Sequence, residues 1–285
     1  MTLQYWYMLP VAIVFGALAT ASGIGGATFF APLLVLALGI APEVAIGTAL
    51  IIEVFGFTSG FLSYARKRLI DYQLGAALLV VTIPMALVGV WMSERFEPDI
   101  LKAILGVGLF VVAARALQTP ERRTVENMDD TIHRRYSKRR GETCLITASG
   151  DEICYTVCNR TEGRLIAAAG ALFKGMIATG LGEINEHFLL ERCHVPSAVS
   201  VATGVYVLLL TSLAAATGHL VGFLRSSGDP LDPILGILIF SIPGVLIGGQ
   251  LGPWIAGAIS ERTFDRVLHV LLLLAASLII AEVVL

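Results

Sequence analysis

The stretch "KGMIATGLGEINEH", residues 174–187, places Lys174, Glu183, Asn185, Glu186 and His187 around a run of glycines inside a very apolar chain. The chain has 285 residues, of which 56% are hydrophobic and 15% are charged, and its mean hydropathy is +0.79. Such a composition is typical of membrane proteins. An ionisable side chain near the bilayer centre costs at least about 2.5–3.5 kcal/mol, so this stretch is a candidate functional site.

Apolar stretches long enough for membrane helices recur along the chain. A bilayer core about 30 Å thick requires roughly 20 apolar residues per helix. The sequence therefore predicts an all-α polytopic membrane protein. The first apolar run has no basic region before it and no cleavage site after it, so we expect a retained helix and not a signal peptide. The predicted spans are 6–22, 44–63, 73–92, 100–117, 198–222, 233–259 and 267–281.

The positions of the basic residues predict the orientation. The net charge is −2, but half of the 20 Lys and Arg residues lie between Arg115 and Arg164, and another cluster lies in "YARKRLIDY", residues 64–72. The positive-inside rule assigns residues 64–72 and 118–163 to the cytoplasm, with two helices between them. Three of the four cysteines would then meet reducing solvent, so no structural disulfide is expected.

The sequences of the two halves of the chain resemble each other. The sequence "ATASGIGGA" (19–27) recurs as "MIATGLGEI" (176–184), and "IPMALVG" (83–89) recurs as "IPGVLIG" (242–248). This self-similarity predicts a duplication. We interpret residues 1–117 and 164–285 as two homologous transmembrane repeats of four to five helical segments each, joined by a cytoplasmic linker at 118–163.

Each repeat begins with a helix that a glycine-rich stretch interrupts. The segments after the breaks, 27–38 and 184–192, are too short to cross a bilayer, and irregular backbone at membrane depth must be surrounded by protein or line a cavity. Paired broken segments at matching positions indicate the binding site of a transporter. The pattern leaves open whether the breaks are re-entrant, and whether the repeats are inverted or parallel.

The linker differs in composition from the rest of the chain. The sequence "TCLITASGDEICYTVC" (143–158) has two runs rich in β-branched residues around a Ser-Gly-Asp turn, which predicts a β-hairpin. The simpler interpretation is a small cytoplasmic appendage, and the alternative is a regulatory or partner-binding module. Cys144 could approach Cys158 across the hairpin, but without a CxxC pair a metal or redox site is the weaker interpretation.

The glycine breaks with their neighbouring charges suggest an anion path. A helix start exposes unpaired N–H groups and a positive dipole end, and glycine lets this backbone approach a ligand closely. In this hypothesis Lys174 and Asn185 help to bind the anion, and Glu183 or Glu186 couples transport to a proton or ion. The alternative is a salt bridge from Lys174 to Glu183 or Glu186 that only stabilises the break.

Four further residues are candidates. The Thr48 and Thr203 hydroxyls could donate to an anion, although each could equally bond to its own helix carbonyl. Glu53 could carry a coupling proton or be a protonated packing residue. His219 titrates in the useful range, but a single histidine near a helix end is more often structural.

The pattern "SGIGGATFFAPLL", "APEVAIGTAL" and "YARKRLIDY", with its weaker second copy, resembles the sulfite exporter TauE/SafE family, also called TSUP, outside 118–163. The resemblance implies an integral membrane protein of about seven to nine helices that moves small sulfur-containing anions such as sulfite, thiosulfate and organosulfonates. The chain departs from the usual pattern in "GEINEH" and in its long polar linker. The site residues that the resemblance implies are Gly23, Gly25, Gly26, Thr48, Gly180, Gly182 and Thr203.

These observations predict a secondary transporter of a small anion, most directly a sulfur-containing oxyanion or organosulfonate, bound between the two breaks. The expected partners are the anion, a coupling proton or ion, the lipid bilayer and, in oligomeric form, a homodimer; neither nucleic acid, a metal nor an organic cofactor is expected. The alternatives are an intramembrane enzyme and a sensor or assembly subunit acting through the linker. No intact HExxH, GxSxG or P-loop motif supports an enzyme.

Overall fold

The computed structural model describes residues 3–22, 25–116, 143–156, 160–182, 188–189, 193, 195–225, 231–258 and 261–284. A 3-10 turn, Leu3–Tyr5, precedes the first α-helix. The strands are β1 (Thr143–Ile146) and β2 (Glu152–Tyr155). The helices of the described ranges are α1 (Met8–Ser22), α2 (Ala27–Leu38), α3 (Pro42–Arg66), α4 (Tyr72–Ser93), α5 (Pro98–Ala116), α6 (Arg160–Ile177), α7 (Ser197–Arg225), α8 (Leu231–Ala258) and α9 (Glu261–Val284).

Helix length and surface composition confirm a polytopic membrane protein. Among the described residues, four segments are long and apolar enough to cross a bilayer: α3, α4, Ala198–Arg225 of α7 and Ile234–Leu251 of α8. Large apolar side chains cover the outside of the helices; Val80 is 74% exposed and Leu274 is 58% exposed. Such a surface is stable only against lipid or another protein.

Each half of the chain begins with a helix, and the segment that follows runs back along that helix. The 15-residue α1 and the 12-residue α2 are both too short to span a membrane alone. The Phe15 ring packs on those of Phe29 and Phe30, so α2 returns antiparallel to α1. The chain after α6 returns in the same way, since Leu181 lies against Gly170 and Phe188 against Gly163.

The two folded-back helices enter from opposite faces of the molecule. Gly236, Gly244 and Gly248 of α8 lie against successively later positions of the N-terminal segment and α1, so α1 runs parallel to α8. Gly175 of α6 lies against Ala86 of α4, and the start of each helix packs near the hairpin, so α6 runs parallel to α4. Both breaks are therefore re-entrant, and the halves have the arrangement expected of inverted repeats. The duplication itself stays a prediction, as do its boundaries at 117 and 164.

The predicted β-hairpin is confirmed. The strands β1 and β2 pair antiparallel, with Thr143 opposite Tyr155 and Ile146 opposite Glu152. The hairpin docks on the loop after α3, because the Ala148 N–H donates to the Lys67 carbonyl at 3.0 Å. The loop at 64–72 and the hairpin therefore share one face of the molecule, which we call the hairpin face. The assignment of this face to the cytoplasm stays a prediction.

The expectation of reduced cysteines was wrong. Cys144 lies directly opposite Cys154 in the hairpin, and the two form a disulfide. Cys193 is also disulfide-bonded. The suggested approach of Cys144 to Cys158 involves a residue outside the described ones. The expectation rested on the compartment alone and did not consider that two facing strands bring cysteines ten positions apart into bonding distance.

Candidate functional site

The two helix breaks meet inside the molecule. Thr28, in the first turn of α2, donates its hydroxyl to the Thr179 hydroxyl at 3.1 Å, and Thr179 follows the end of α6. Both residues are about 1% exposed. Because α1 and α6 enter from opposite faces, their breaks meet away from both membrane surfaces. This juxtaposition brings a helix N-terminus close to a helix C-terminus.

A buried ion pair joins the two breaks. The Lys174 ammonium of α6 lies 2.6 Å from a carboxylate oxygen of Glu53 in α3. The Lys174 side chain is 2% exposed and the Glu53 side chain 1%. Desolvating two charges is costly, and good geometry with additional hydrogen bonds is needed to offset the cost. A partner was expected for Lys174, but Glu53 is not the one that the sequence suggested.

Three donors surround the Glu53 carboxylate. One oxygen accepts from Lys174 and from the Ser212 hydroxyl, which is 3.0 Å away. The other accepts from the Ala27 backbone N–H at 2.6 Å. Ala27 is the first residue of α2, where unpaired N–H groups and the helix dipole favour negative charge. A cation, a hydroxyl and a helix N-terminus thus form an anion site that the protein's own carboxylate occupies.

Gly25 allows the pair to lie this close to the backbone. A Cβ at Gly25 would lie 3.0 Å from the Lys174 nitrogen and 3.1 Å from a Glu53 oxygen. A methyl group at these distances would displace one of the charged groups. Glycine is required here for the close approach of these two charged groups. The expected approach of a ligand to this glycine stays a prediction.

Lys174 also stabilises the second break. Its ammonium donates to the Ala178 carbonyl at 3.1 Å, at the C-terminal end of α6 where cations are favoured. Ala178 has a φ of 62°, which an alanine rarely adopts, and Gly180 has a φ of 109°. A strained alanine beside a buried lysine indicates that the surrounding structure holds this turn in place.

Two cavities lie in this half of the molecule, and one of them is lined by a member of the pair. Glu53 and Gly26 line a cavity of about 30 Å³, which has room for a water molecule or two but not for an oxyanion. A much larger space of about 1080 Å³, which we call the vestibule, lies where α3 begins and α4 and α7 end. Its polar lining residues are Glu43, Glu94, Thr217, His219 and Arg225.

His219 connects the vestibule to the second break. Its side chain is buried, and its Nε2 lies 3.0 Å from the carbonyl of Gly175, the residue after Lys174. The ring packs on Phe223. His219 therefore lines the vestibule and contacts the residue that follows Lys174.

The predicted threonines do not contact the pair. The Thr48 hydroxyl donates to the Val44 carbonyl of its own helix at 2.7 Å, which is the structural alternative considered above. The Thr203 hydroxyl accepts from the Asp71 N–H at 3.0 Å, at the hairpin face. At about 1.5 Å per residue, Thr203 lies about 14 Å before Ser212 along α7. Gly182 packs against Leu208. Gly23, Glu183, Asn185 and Glu186 lie outside the described residues.

Sequence reasoning missed Ser212, Thr28, Thr179 and the Ala27 N–H. Ser212 and His219 are seven positions apart, on one face of α7, and both contact the region of the breaks. This spacing of two polar residues on one face of an apolar helix was the signal in the sequence that could have identified Ser212. Of the described residues, Cys144, Glu152 and Cys154 are close enough to hold a metal ion, but the disulfide engages both sulfurs.

Comparisons with known proteins identify the family of the chain. The family described as Sulfite exporter TauE/SafE matches residues 8–279, nearly the whole chain. The chain belongs to the TauE/SafE family. TauE/SafE membership confirms the resemblance drawn from the glycine motifs, and it identifies the protein as a multi-pass membrane transporter and not an enzyme.

Two Bacillus subtilis (strain 168) proteins are similar to the chain over most of their length. The "Probable membrane transporter protein YunE" is 21% identical over 288 residues, covering 98% of each chain. The "Probable membrane transporter protein YjnA" is 26% identical over 254 residues, covering 86% of this chain and 89% of its own. No solved structure matches the chain significantly.

Proposed function

We propose that this TauE/SafE transporter carries a small sulfur-containing oxyanion or organosulfonate, of the sulfite, thiosulfate or sulfoacetate type, which binds between the two breaks in place of the Glu53 carboxylate. The observation that carries the proposal is the anion site around Glu53. Sulfite and sulfonate present two or more oxygens around a compact centre, as a carboxylate does. Lys174, Ser212 and the Ala27 N–H are therefore suitable donors for either.

Competition with Glu53 supplies a coupling mechanism. When Glu53 is ionised, it satisfies Lys174 and the α2 N-terminus, and the cavity beside it is too small for substrate. When Glu53 takes up a proton, Lys174 loses its counter-charge, and an entering anion supplies it. A proton and an anion then bind together, which links transport to the proton gradient.

The vestibule is the access route on its face of the molecule. His219 lines the vestibule and bonds to the carbonyl of Gly175, the residue next to Lys174. In this mechanism, rotation of the His219 side chain opens a path to the pair. In this proposal His219 has a gating role, and the coupling role expected from its titration range stays a prediction. Gly25 and Gly26 provide close backbone approach at the site. Thr48 and Thr203 do not bind the anion in this proposal, because the Thr48 hydroxyl bonds to the Val44 carbonyl and the Thr203 hydroxyl accepts from the Asp71 N–H.

The remaining predictions extend this proposal. Gly180 provides the positive φ that the turn of the second break needs, and Gly182 packs against Leu208. Gly23, Glu183, Asn185 and Glu186 stay candidates for the anion path and its coupling. The homodimer also stays a prediction.

The test is sulfite uptake into proteoliposomes by the full chain and by Lys174→Met. The matched control is Lys102→Met, which removes a lysine from an exposed pair with the same 2.6 Å separation. We expect Lys174→Met to lose uptake and anion binding while Lys102→Met keeps both. Sulfite binding by a folded Lys174→Met with unchanged affinity would contradict the proposal.

A further inference from the structure

The disulfide of the hairpin is accessible to solutes. Cys144 is exposed and Cys154 half-buried. The hairpin sits beside the basic segment Arg66–Arg68, to which Ala148 is bonded through the Lys67 carbonyl. Positive charge raises the local concentration of small anions. The Glu152 carboxylate, which lies within 4.8 Å of the cysteine sulfurs, opposes this effect.

The hairpin also contacts the membrane helices. Tyr155 of β2 donates its hydroxyl to Asp71 at 2.6 Å, and the Asp71 carboxylate caps α4 by accepting from the Gln73 and Leu74 N–H groups. Tyr155 further packs in a buried cluster with Phe188 and Leu189, in the chain that returns from the second break. The hairpin therefore contacts both the start of α4 and the chain that returns from the second break.

We infer that the Cys144–Cys154 disulfide is a covalent reaction site for sulfite, at which the transporter responds to its own substrate. This inference rests on the proposed substrate class. Sulfite has a lone pair on sulfur and is a nucleophile toward disulfides, in the same kind of displacement as thiol–disulfide exchange. Sulfate has no such lone pair and does not react.

The step is balanced without any further reagent. The sulfite sulfur attacks the exposed Cys144 sulfur, a new S–S bond forms, and the Cys144–Cys154 bond breaks. The electron pair leaves on the Cys154 sulfur, which takes a proton from water. The sulfite sulfur is oxidised and the disulfide is reduced, so the products are S-sulfocysteine at 144 and a thiol at 154. The link between β1 and β2 is lost, and a negative charge is added near Glu152.

The chain contains its own control. Cys193 is also disulfide-bonded but is only 8% exposed. Access of the nucleophile governs the rate of such displacements. Cys193 should therefore react much more slowly than Cys144 in the same folded molecule.

The test treats the purified full chain with sulfite, with sulfate as control, and locates S-sulfonation by peptide mass spectrometry. We expect modification at Cys144 to be at least about tenfold faster than at Cys193, a free thiol at Cys154, and no reaction with sulfate. Cys144→Ser/Cys154→Ser should show no modification in the hairpin. A second arm alkylates intact cells before lysis, and we expect the pair to be oxidised there.

Three outcomes would overturn the inference: no S-sulfonation of Cys144, equal rates at Cys144 and Cys193, or a Cys144/Cys154 dithiol in cells. Sulfite uptake by the same preparation separates the two proposals. Lys174-dependent uptake without S-sulfonation would refute the reactive disulfide and leave the transport proposal standing. S-sulfonation with uptake that is independent of Lys174 would refute the transport mechanism instead.

Discussion

Two ion pairs in this molecule have the same length and different surroundings. Lys174–Glu53 and Lys102–Glu282 each have a nitrogen–oxygen distance of 2.6 Å. The side chains of the first pair are 2% and 1% exposed, and those of the second are 18% and 42% exposed. Distance alone therefore says little about the role of an ion pair, whereas burial and the other bonds of its members say much more.

The surroundings are the reason we propose the inner pair, and not the outer pair, as the functional site. Lys102 and Glu282 join α5 to α9 at the edge of the protein, where solvent screens the charges. Glu53 and Lys174 are held by Ser212, Ala27 and Ala178, at the ends of two broken helices. Replacing a buried ion pair by apolar residues of similar volume often leaves the stability of a protein unchanged or raises it. The charges are therefore better explained by ligand binding than by stability.

The largest expected effect comes from breaking the inner pair on one side. Lys174→Met leaves a buried carboxylate without its cation, which should cost about 3–5 kcal/mol of stability. Thermal unfolding of the purified protein measures the loss. A stability equal to that of the wild type would show that the two charges are not desolvated together.

Removing both charges should restore much of that loss. In Glu53→Gln/Lys174→Met no buried charge remains unpaired, so the double variant should be more stable than Lys174→Met. Sulfite uptake should still be absent, because the anion has lost its counter-charge. An active double variant would contradict the proposed role of the pair.

Ser212→Ala should have an intermediate effect. The substitution removes one hydrogen bond to a charged oxygen, which contributes about 1.5–3 kcal/mol, and leaves the pair itself intact. Sulfite affinity should fall by about 10- to 100-fold. Thr48→Ser is the control, since that hydroxyl bonds only to its own helix in the structure. Equal sulfite affinities of the two variants would show that Ser212 does not belong to the site.

The smallest expected effect is that of the outer pair. Lys102→Ala should change the stability by no more than about 1 kcal/mol, and less at high salt. Sulfite uptake should match that of the wild type. Urea or thermal unfolding at two salt concentrations measures the first effect. A loss of uptake would mean that exposure is not what separates the two pairs.

The sequence was informative about local features and poor at long-range partnerships. The apolar spans, the glycine breaks and the hairpin were predictable, because each depends on the composition of a short segment. Glu53 and Lys174 were both candidates, but nothing in the sequence joined α3 to α6. Thr203 was placed at the site by analogy with Thr48, whereas its actual partner, Asp71, is determined by how α4 packs on α7.

Ser212 shows why the rest could not be predicted. A single serine in an apolar helix usually bonds to its own backbone, and only the packing of α7 on α3 directs its hydroxyl to Glu53. The disulfide was mispredicted for a related reason. The compartment was inferred from basic loops, while the Cys144–Cys154 pairing depends on strand register.

The most direct test of the central claim compares the thermal stabilisation of Glu53→Gln and wild type by added sulfite. Without the carboxylate, Lys174 lacks its competitor and its counter-charge, so sulfite should bind more tightly to Glu53→Gln and raise its unfolding temperature more. Glu282→Gln is the matched control and should respond as the wild type does. A sulfite-induced shift in Glu53→Gln that equals or falls below the wild-type shift would contradict the claim that substrate and Glu53 compete for one site.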